Sequence, residues 1–136
     1  MSQVFADTGY WIPLLNPRDE LHKRAQEVSA TLGSTHIVTS EWVLTELLNS
    51  FAERGMHLRV VVSKTVAALR INPGVIVVPQ TSASFADAFE LYQDSSDKSW
   101  SITDCSSFLI MRQYGIDAAL TYDRHFEQAD FKALLR

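Results

Sequence analysis

Four acidic side chains have the types and surroundings needed for chemistry. They are Asp7 in VFADTG, Glu46 in SEWVLTELLNSF, Asp104 in WSITDCSSF and Asp123 in ALTYDRHF. Each lies where a strand is expected to end or where a helix passes a strand tip. Strongly apolar neighbours turn each of them toward a core. Carboxylates buried together need a counter-charge. A hard divalent cation, which prefers oxygen ligands, is the natural one if the fold brings the four into one pocket.

Each position also has a plainer reading. Asp7 can cap a helix after the first strand. The triplet Asp7-Thr8-Gly9 matches the active-site triplet of aspartic proteases, in which two aspartates share a proton. That fold is all-β, however, and the YWIPLL that follows is not a strand pattern. Glu46 falls between Trp42 and Val43 on a helical wheel of about 100° per residue, at the edge of an apolar arc. A solvated glutamate is expected opposite such an arc, although a rim position also fits. Asp104 closes Ser101-Ile102-Thr103-Asp104, which matches a capping box. Asp123 can cap a turn before Arg124-His125-Phe126. No position is specific alone; the ordered set carries the argument.

The elements that must position these acids alternate between short apolar strands and amphipathic helices. A strand is expected over residues 2–6, then a short helix over 10–15 with Pro13 tolerated only in its first turn. Asp19 is expected to cap a helix reaching about Leu32, with Gly33 as terminator. A strand over 36–39 leads into a helix capped by Ser40 and ending near Gly55, and a further helix covers about 58–69. Asn72-Pro73-Gly74 marks a turn. The β-branched run 75–78 reads as a buried parallel strand. A helix over about 84–93, a loop over 94–99, and a helix capped by Ser101 or Thr103 and closing on Gly115 follow. Residues 118–121 form the last clear strand. Strands separated by helices imply a parallel sheet in an α/β layer fold, with ligands beyond the C-terminal strand ends.

The 136 residues fit one domain, spanning 1–136. With 46% apolar and 21% charged residues, the composition is that of a globular protein. No apolar run approaches a membrane span and no signal peptide is visible, so a cytoplasmic protein is expected. The single cysteine, Cys105, agrees with a reducing compartment and reads as a small core residue. The net charge of -4 argues against a passive nucleic-acid binder. Bound divalent cations would offset that charge, so an enzyme acting on nucleic acid remains compatible with it.

In order, Asp7 after the first strand, Glu46 on the helix after the second, Thr103-Asp104 at a helix start and Thr121-Tyr122-Asp123 after the last clear strand resemble the PIN-domain family. The resemblance spans nearly the whole chain. The stretch WSITDCSSFLIMRQYGIDAALTYDRHFEQADF is particularly similar to VapC-like ribonuclease toxins of bacterial toxin–antitoxin pairs. It implies a three-layer α/β/α sandwich with a central, mainly parallel sheet. It also implies Mg2+ or Mn2+ dependence, cleavage of RNA, a homodimer and neutralisation by a cognate antitoxin. Asp7 and Asp104 would be the principal metal ligands, with Asp123 completing a site. Glu46 would bind a second ion or orient the attacking water.

Around the acids, Thr8, Thr103 and Thr121 offer hydroxyls for support or act as caps and strand residues. Arg124 and His125 read as phosphate contacts or as solvated surface. His22, His36 and His57 lack metal-ligand spacing. Trp11, Trp42 and Trp100 read as core or interface residues, and the apolar helical region 42–69 can serve as a dimer surface. A non-catalytic PIN-type scaffold binding RNA or protein is the alternative function. A phospho-acceptor or phosphatase domain is a third reading, which Gly9 disfavours because the phosphatases usually carry a second aspartate there.

Overall fold

A computed structural model describes residues 2–136 of the chain. Five strands form one sheet, β1 (Gln3–Ala6), β2 (His36–Ser40), β3 (Val75–Val78), β4 (Ala118–Leu120) and β5 (Lys132–Ala133), in the order β3-β2-β1-β4-β5. Every pairing is parallel. Helices fill the connections: α1 (Thr8–Leu15), α2 (His22–Ala30), α3 (Glu41–Ser50), α4 (Met56–Ile71), α5 (Ser82–Asp94), α6 (Ile102–Tyr114) and α7 (Arg124–Gln128). This is the expected α/β/α architecture with a parallel central sheet.

Parallel strands need crossover helices, so both sheet faces are covered and the central strands are largely buried, including the polar Thr39 and Ser40 of β2. Phe5, Ala6, Val38, Ala119 and Leu120 are fully buried, together with Val43, Leu47, Phe108, Met111 and Phe126 from the helices. Phe108 is a hub of this core. It meets Trp100 and Phe126 edge-on, with centroids 4.9 and 5.0 Å away, and Phe131 at 5.9 Å. A smaller cluster joins Trp42, Ala88 and Cys105, so Cys105 is a core residue as its type suggested.

Several local expectations shift. α1 starts at Thr8, two residues early, because Asp7 caps it, and Pro13 therefore lies beyond the first turn. Pro13 removes one backbone donor there, and its own carbonyl accepts from His22 Nδ1 at 2.7 Å. Asp19 does not cap α2. Its Oδ1 instead accepts from Leu21 N–H in a local turn, and the helix begins at His22. α3 ends at Ser50, and Gly55, with φ +90°, stands at the start of α4 rather than at the end of α3. β3 is an edge strand with four half-buried residues, because β2 covers only one of its sides. β5 was not foreseen; two residues in FKALLR carry too little pattern to reveal a strand. Gly115 closes α6 in the left-handed region, as expected.

The chain order places a switch point between β1 and β4: connections leave β1 toward β2 and β3, then return to β4 on its other side. Crevices at such points are where α/β sheets bind ligands. Replacing Phe108 by Ala should lower stability by about 3–5 kcal/mol, as for other large-to-small core changes. Chemical denaturation of the purified variant measures it.

Candidate active site

Register alone brings the first pair together. Ala6 pairs with Leu120, so Asp7 and Thr121 leave the sheet side by side. Thr121 Oγ1 donates to Asp7 Oδ2 at 2.9 Å, and Gly9 N–H donates to the same oxygen at 3.3 Å. Gly9 fits closely here: a Cβ would lie 3.1 Å from Thr121 Oγ1 and 3.2 Å from Asp7 Oδ2, tight enough to press on both. The glycine of the Asp-Thr-Gly triplet thus permits close packing around a carboxylate, and the protease comparison has no counterpart in this parallel sheet.

Asp104 enters from α6. Ser101 Oγ accepts from Asp104 N–H at 2.9 Å, and Asp104 Oδ2 accepts from Ser101 N–H at 3.0 Å. Asp104 Oδ2 also accepts from His125 Nδ1 at 2.8 Å. Asp123 follows β4 and caps α7, its Oδ1 accepting from His125 N–H at 2.9 Å. Thr121 Oγ1 in turn accepts from Asp123 N–H at 3.1 Å. One hydroxyl therefore joins Asp7 to the Asp123 backbone.

The capping readings of the three aspartates are correct, and they leave half of each carboxylate free. Asp7 and Asp104 spend Oδ2 on their helices, and Asp123 spends Oδ1. Among the described residues, the second oxygen of each accepts no hydrogen bond. Asp7 and Asp104 are only 6% and 8% exposed, whereas Glu46 and Asp123 are half-buried. The expectation that all four turn into the core thus holds for two of them.

Electrostatics tie the four together. The Asp7 carboxyl is pushed up to about 7, first by burial and then by the charges of Asp104 and Glu46, against hydrogen bonds from Thr121 and Gly9 that lower it. Asp104 is raised as well, chiefly by burial and further by the Asp123 charge, while bonds from Ser101 and His125 oppose the rise. Glu46 lies on α3, which Ser40 caps by accepting from Val43 N–H at 3.1 Å. Its side chain lines an open groove of about 540 Å3 with Trp42, Thr45, Asn49, Ser50, Gln80 and Thr103.

Among the described residues, Asp104, Asp123 and His125 offer ligand atoms within 4.8 Å of one another. For His125 the sequence allows a phosphate contact or solvated surface; the fold sets its Nδ1 2.8 Å from Asp104 and 3.4 Å from Asp123. Only its place directly after Asp123 and Arg124 hinted at this. Arg124 is exposed. Thr8 Oγ1 is buried without a partner, so it does not support Asp7 by a hydrogen bond. Trp100 borders the region, its Nε1 donating to Gln128 Oε1 at 3.0 Å.

A pocket so short of positive charge suits a divalent cation. The donors are carboxylate oxygens with unused lone pairs, and burial together with neighbouring acids pushes the Asp7 carboxyl up. Parallel α/β topology, acids gathered at the switch point and a donor set for a hard cation fit the class of metal-dependent hydrolases.

Comparison with known proteins narrows this class. The PIN domain family profile matches residues 4–132, and the chain belongs to that family. The 23S rRNA-specific endonuclease VapC20 from two strains of Mycobacterium tuberculosis is 30% identical over 128 residues, covering 94% of this chain and 95% of that protein. The crystal structure of the same Mycobacterium tuberculosis protein, a Sarcin-Ricin loop cleaving toxin, superposes with a TM-score of 0.84. It is 30% identical and covers 94% of this chain and 95% of that one. FitAB bound to a DNA fragment shares the fold at a TM-score of 0.68 and 17% identity, covering 98% and 96% of the two chains. FitAcB from Neisseria gonorrhoeae does so at 0.64 and 18%, covering 96% and 95%. The expected family and nuclease class are borne out. No described helix is long and apolar enough to cross a membrane.

Because the folded-state pKa of Asp7 lies above its unfolded value, the metal-free protein binds an extra proton between about pH 4 and about pH 7. The Asp7 contribution to stability is therefore present below the unfolded pKa and lost as pH rises through about 7. Asp7→Asn should raise the metal-free melting temperature at pH 8 and flatten its decline across this window. Melting curves in chelator between pH 4 and 8 check it; parallel parent and variant profiles would contradict it.

Proposed function

We propose that this chain is a divalent-metal-dependent endoribonuclease, the toxin of a toxin–antitoxin pair, built as a single PIN domain over residues 1–136. The observation that carries the reading is the convergence of Asp7, Asp104 and Asp123 at the β1/β4 switch point, joined through Thr121 and His125, each with one carboxylate oxygen left free. RNA as substrate follows from likeness to VapC20, whose name describes an rRNA endonuclease. A homodimer working in the cytoplasm and held in check by a cognate antitoxin completes the reading.

Asp7, Asp104 and Asp123 would hold the ion, Mg2+ or Mn2+, through the oxygens their capping bonds leave free. When bound, the ion supplies Lewis acidity toward a phosphate oxygen and lowers the pKa of a coordinated water. The protein's own groups supply position. Thr121 and Gly9 fix the Asp7 carboxylate, while Ser101 and His125 fix that of Asp104. Supporting bonds of this kind orient ligands and typically matter about 10- to 100-fold. Glu46 stands at the open groove, where its carboxylate can orient the attacking water or hold a second ion.

Asp7→Asn and Asp104→Asn should each reduce Mg2+- or Mn2+-dependent cleavage of single-stranded RNA by about 100-fold or more while leaving the fold intact. Turnover assays with circular dichroism check both points, and cleavage equal to the parent's would sink the assignment. Mn2+ or Mg2+ should also raise the melting temperature of the parent more than that of Glu46→Gln. An identical shift in both proteins would remove Glu46 from the metal shell.

A further inference from the structure

Tyr122 separates two residues of the site. Thr121 before it holds Asp7, and Asp123 after it bonds to His125. Neither the core nor the carboxylate cluster accounts for its own side chain, which is 45% exposed. Among the described residues, its phenolic oxygen has no hydrogen-bond partner. Tyr122 therefore stands half in water directly between two residues of the site.

The ring is nevertheless held. The Arg136 guanidinium lies over it with Cζ 4.7 Å from the centroid. Arg136 is itself pinned at both ends of its fork: Nη1 donates to the Tyr122 carbonyl at 3.1 Å, and Nε meets Glu127 Oε1 at 3.0 Å. The preceding residue is tied to the site strand, because Leu135 N–H donates to the Thr121 carbonyl at 3.0 Å. One ring face thus carries a fixed cation, and the orientation of the ring is set before any ligand arrives. Flat aromatic surfaces of this kind receive unstacked bases in single-stranded nucleic acids, where stacking needs no base-specific hydrogen bond. The nearby Glu127 partly neutralises Arg136, which makes the pair a poor phosphate clamp.

We propose that Tyr122, backed by Arg136, is a stacking platform for an unpaired nucleobase of the RNA bound at the carboxylate site. The proposal rests on the ribonuclease reading and adds a substrate contact to it. Stacking holds the ground state and the transition state alike, so its loss acts on KM rather than on kcat.

The test uses the full chain, with Tyr122→Phe, Tyr122→Leu and Arg136→Met beside the parent. The probe is a short single-stranded RNA carrying 2-aminopurine, cleaved with Mn2+ and titrated with Ca2+ in its place. Tyr122→Leu should raise KM roughly 5- to 100-fold, with kcat within about threefold, and should abolish 2-aminopurine quenching. Tyr122→Phe should match the parent, and Arg136→Met should fall between them. Equal KM and equal quenching in Tyr122→Leu and the parent would overturn the platform while leaving the nuclease reading intact. Tyr122-dependent quenching by a parent that cleaves nothing would support the platform and overturn the nuclease. Unchanged RNA binding with a changed oligomeric state in Tyr122→Leu would assign the ring to a protein contact and overturn the proposal.

Discussion

Negative charge gathered where water is scarce is the constraint around which this structure is arranged. A single buried carboxylate can be held by hydrogen bonds to its charged form; several together cannot, because each raises the others. The protein meets the first requirement fully. Asp7 accepts from a threonine and a glycine amide, and Asp104 from a serine amide and an imidazole. Burial, and after it the neighbouring acids, still pushes both carboxyls up. Free carboxylate oxygens held in fixed positions are the kind of donor a hard cation takes.

The same aspartates serve the fold. Asp7, Asp104 and Asp123 stand at the beginnings of α1, α6 and α7, where helix amides and the positive end of the dipole favour an anion. Stability and chemistry do not compete for these residues, because a carboxylate has two oxygens and a cap consumes one. The division also fixes orientation. Each free oxygen inherits its direction from the helix its partner oxygen starts, so the rigidity of three helices is transferred to the site. Gly9 belongs to this arrangement through its absent side chain, which would otherwise crowd both Asp7 and Thr121.

Sheet topology converts these local devices into one crevice. Asp7 and Asp123 follow strands that are neighbours in space although more than a hundred residues separate them in the chain. Thr121 spans the gap, bonding to Asp7 through its side chain and receiving the Asp123 amide on the same oxygen. The likeness to VapC20 over nearly the whole chain, with a TM-score of 0.84, indicates how far this framework is shared at 30% identity.

The sequence by itself determined the alternation of strands and helices, the parallel sheet, the cap at Ser40, a cap at Ser101 or Thr103, the stop at Gly115 and the four acids in order. All are local signals: apolar periodicity, a side chain that can accept from an amide, a glycine that tolerates positive φ. Legibility failed where the deciding neighbour was distant. β5 exists because two residues find an edge beside β4, and β3 is half-exposed because only β2 covers it. His125 joins Asp104 across twenty-one residues of chain, and Tyr122 meets Arg136 across fourteen. The triplet Asp-Thr-Gly shows a cap in the sequence, but only register sets Thr121 beside Asp7. Only the tertiary structure decided these points, because a carboxylate's environment depends on which charges and donors the fold brings within a few ångströms, and sequence distance carries no record of that.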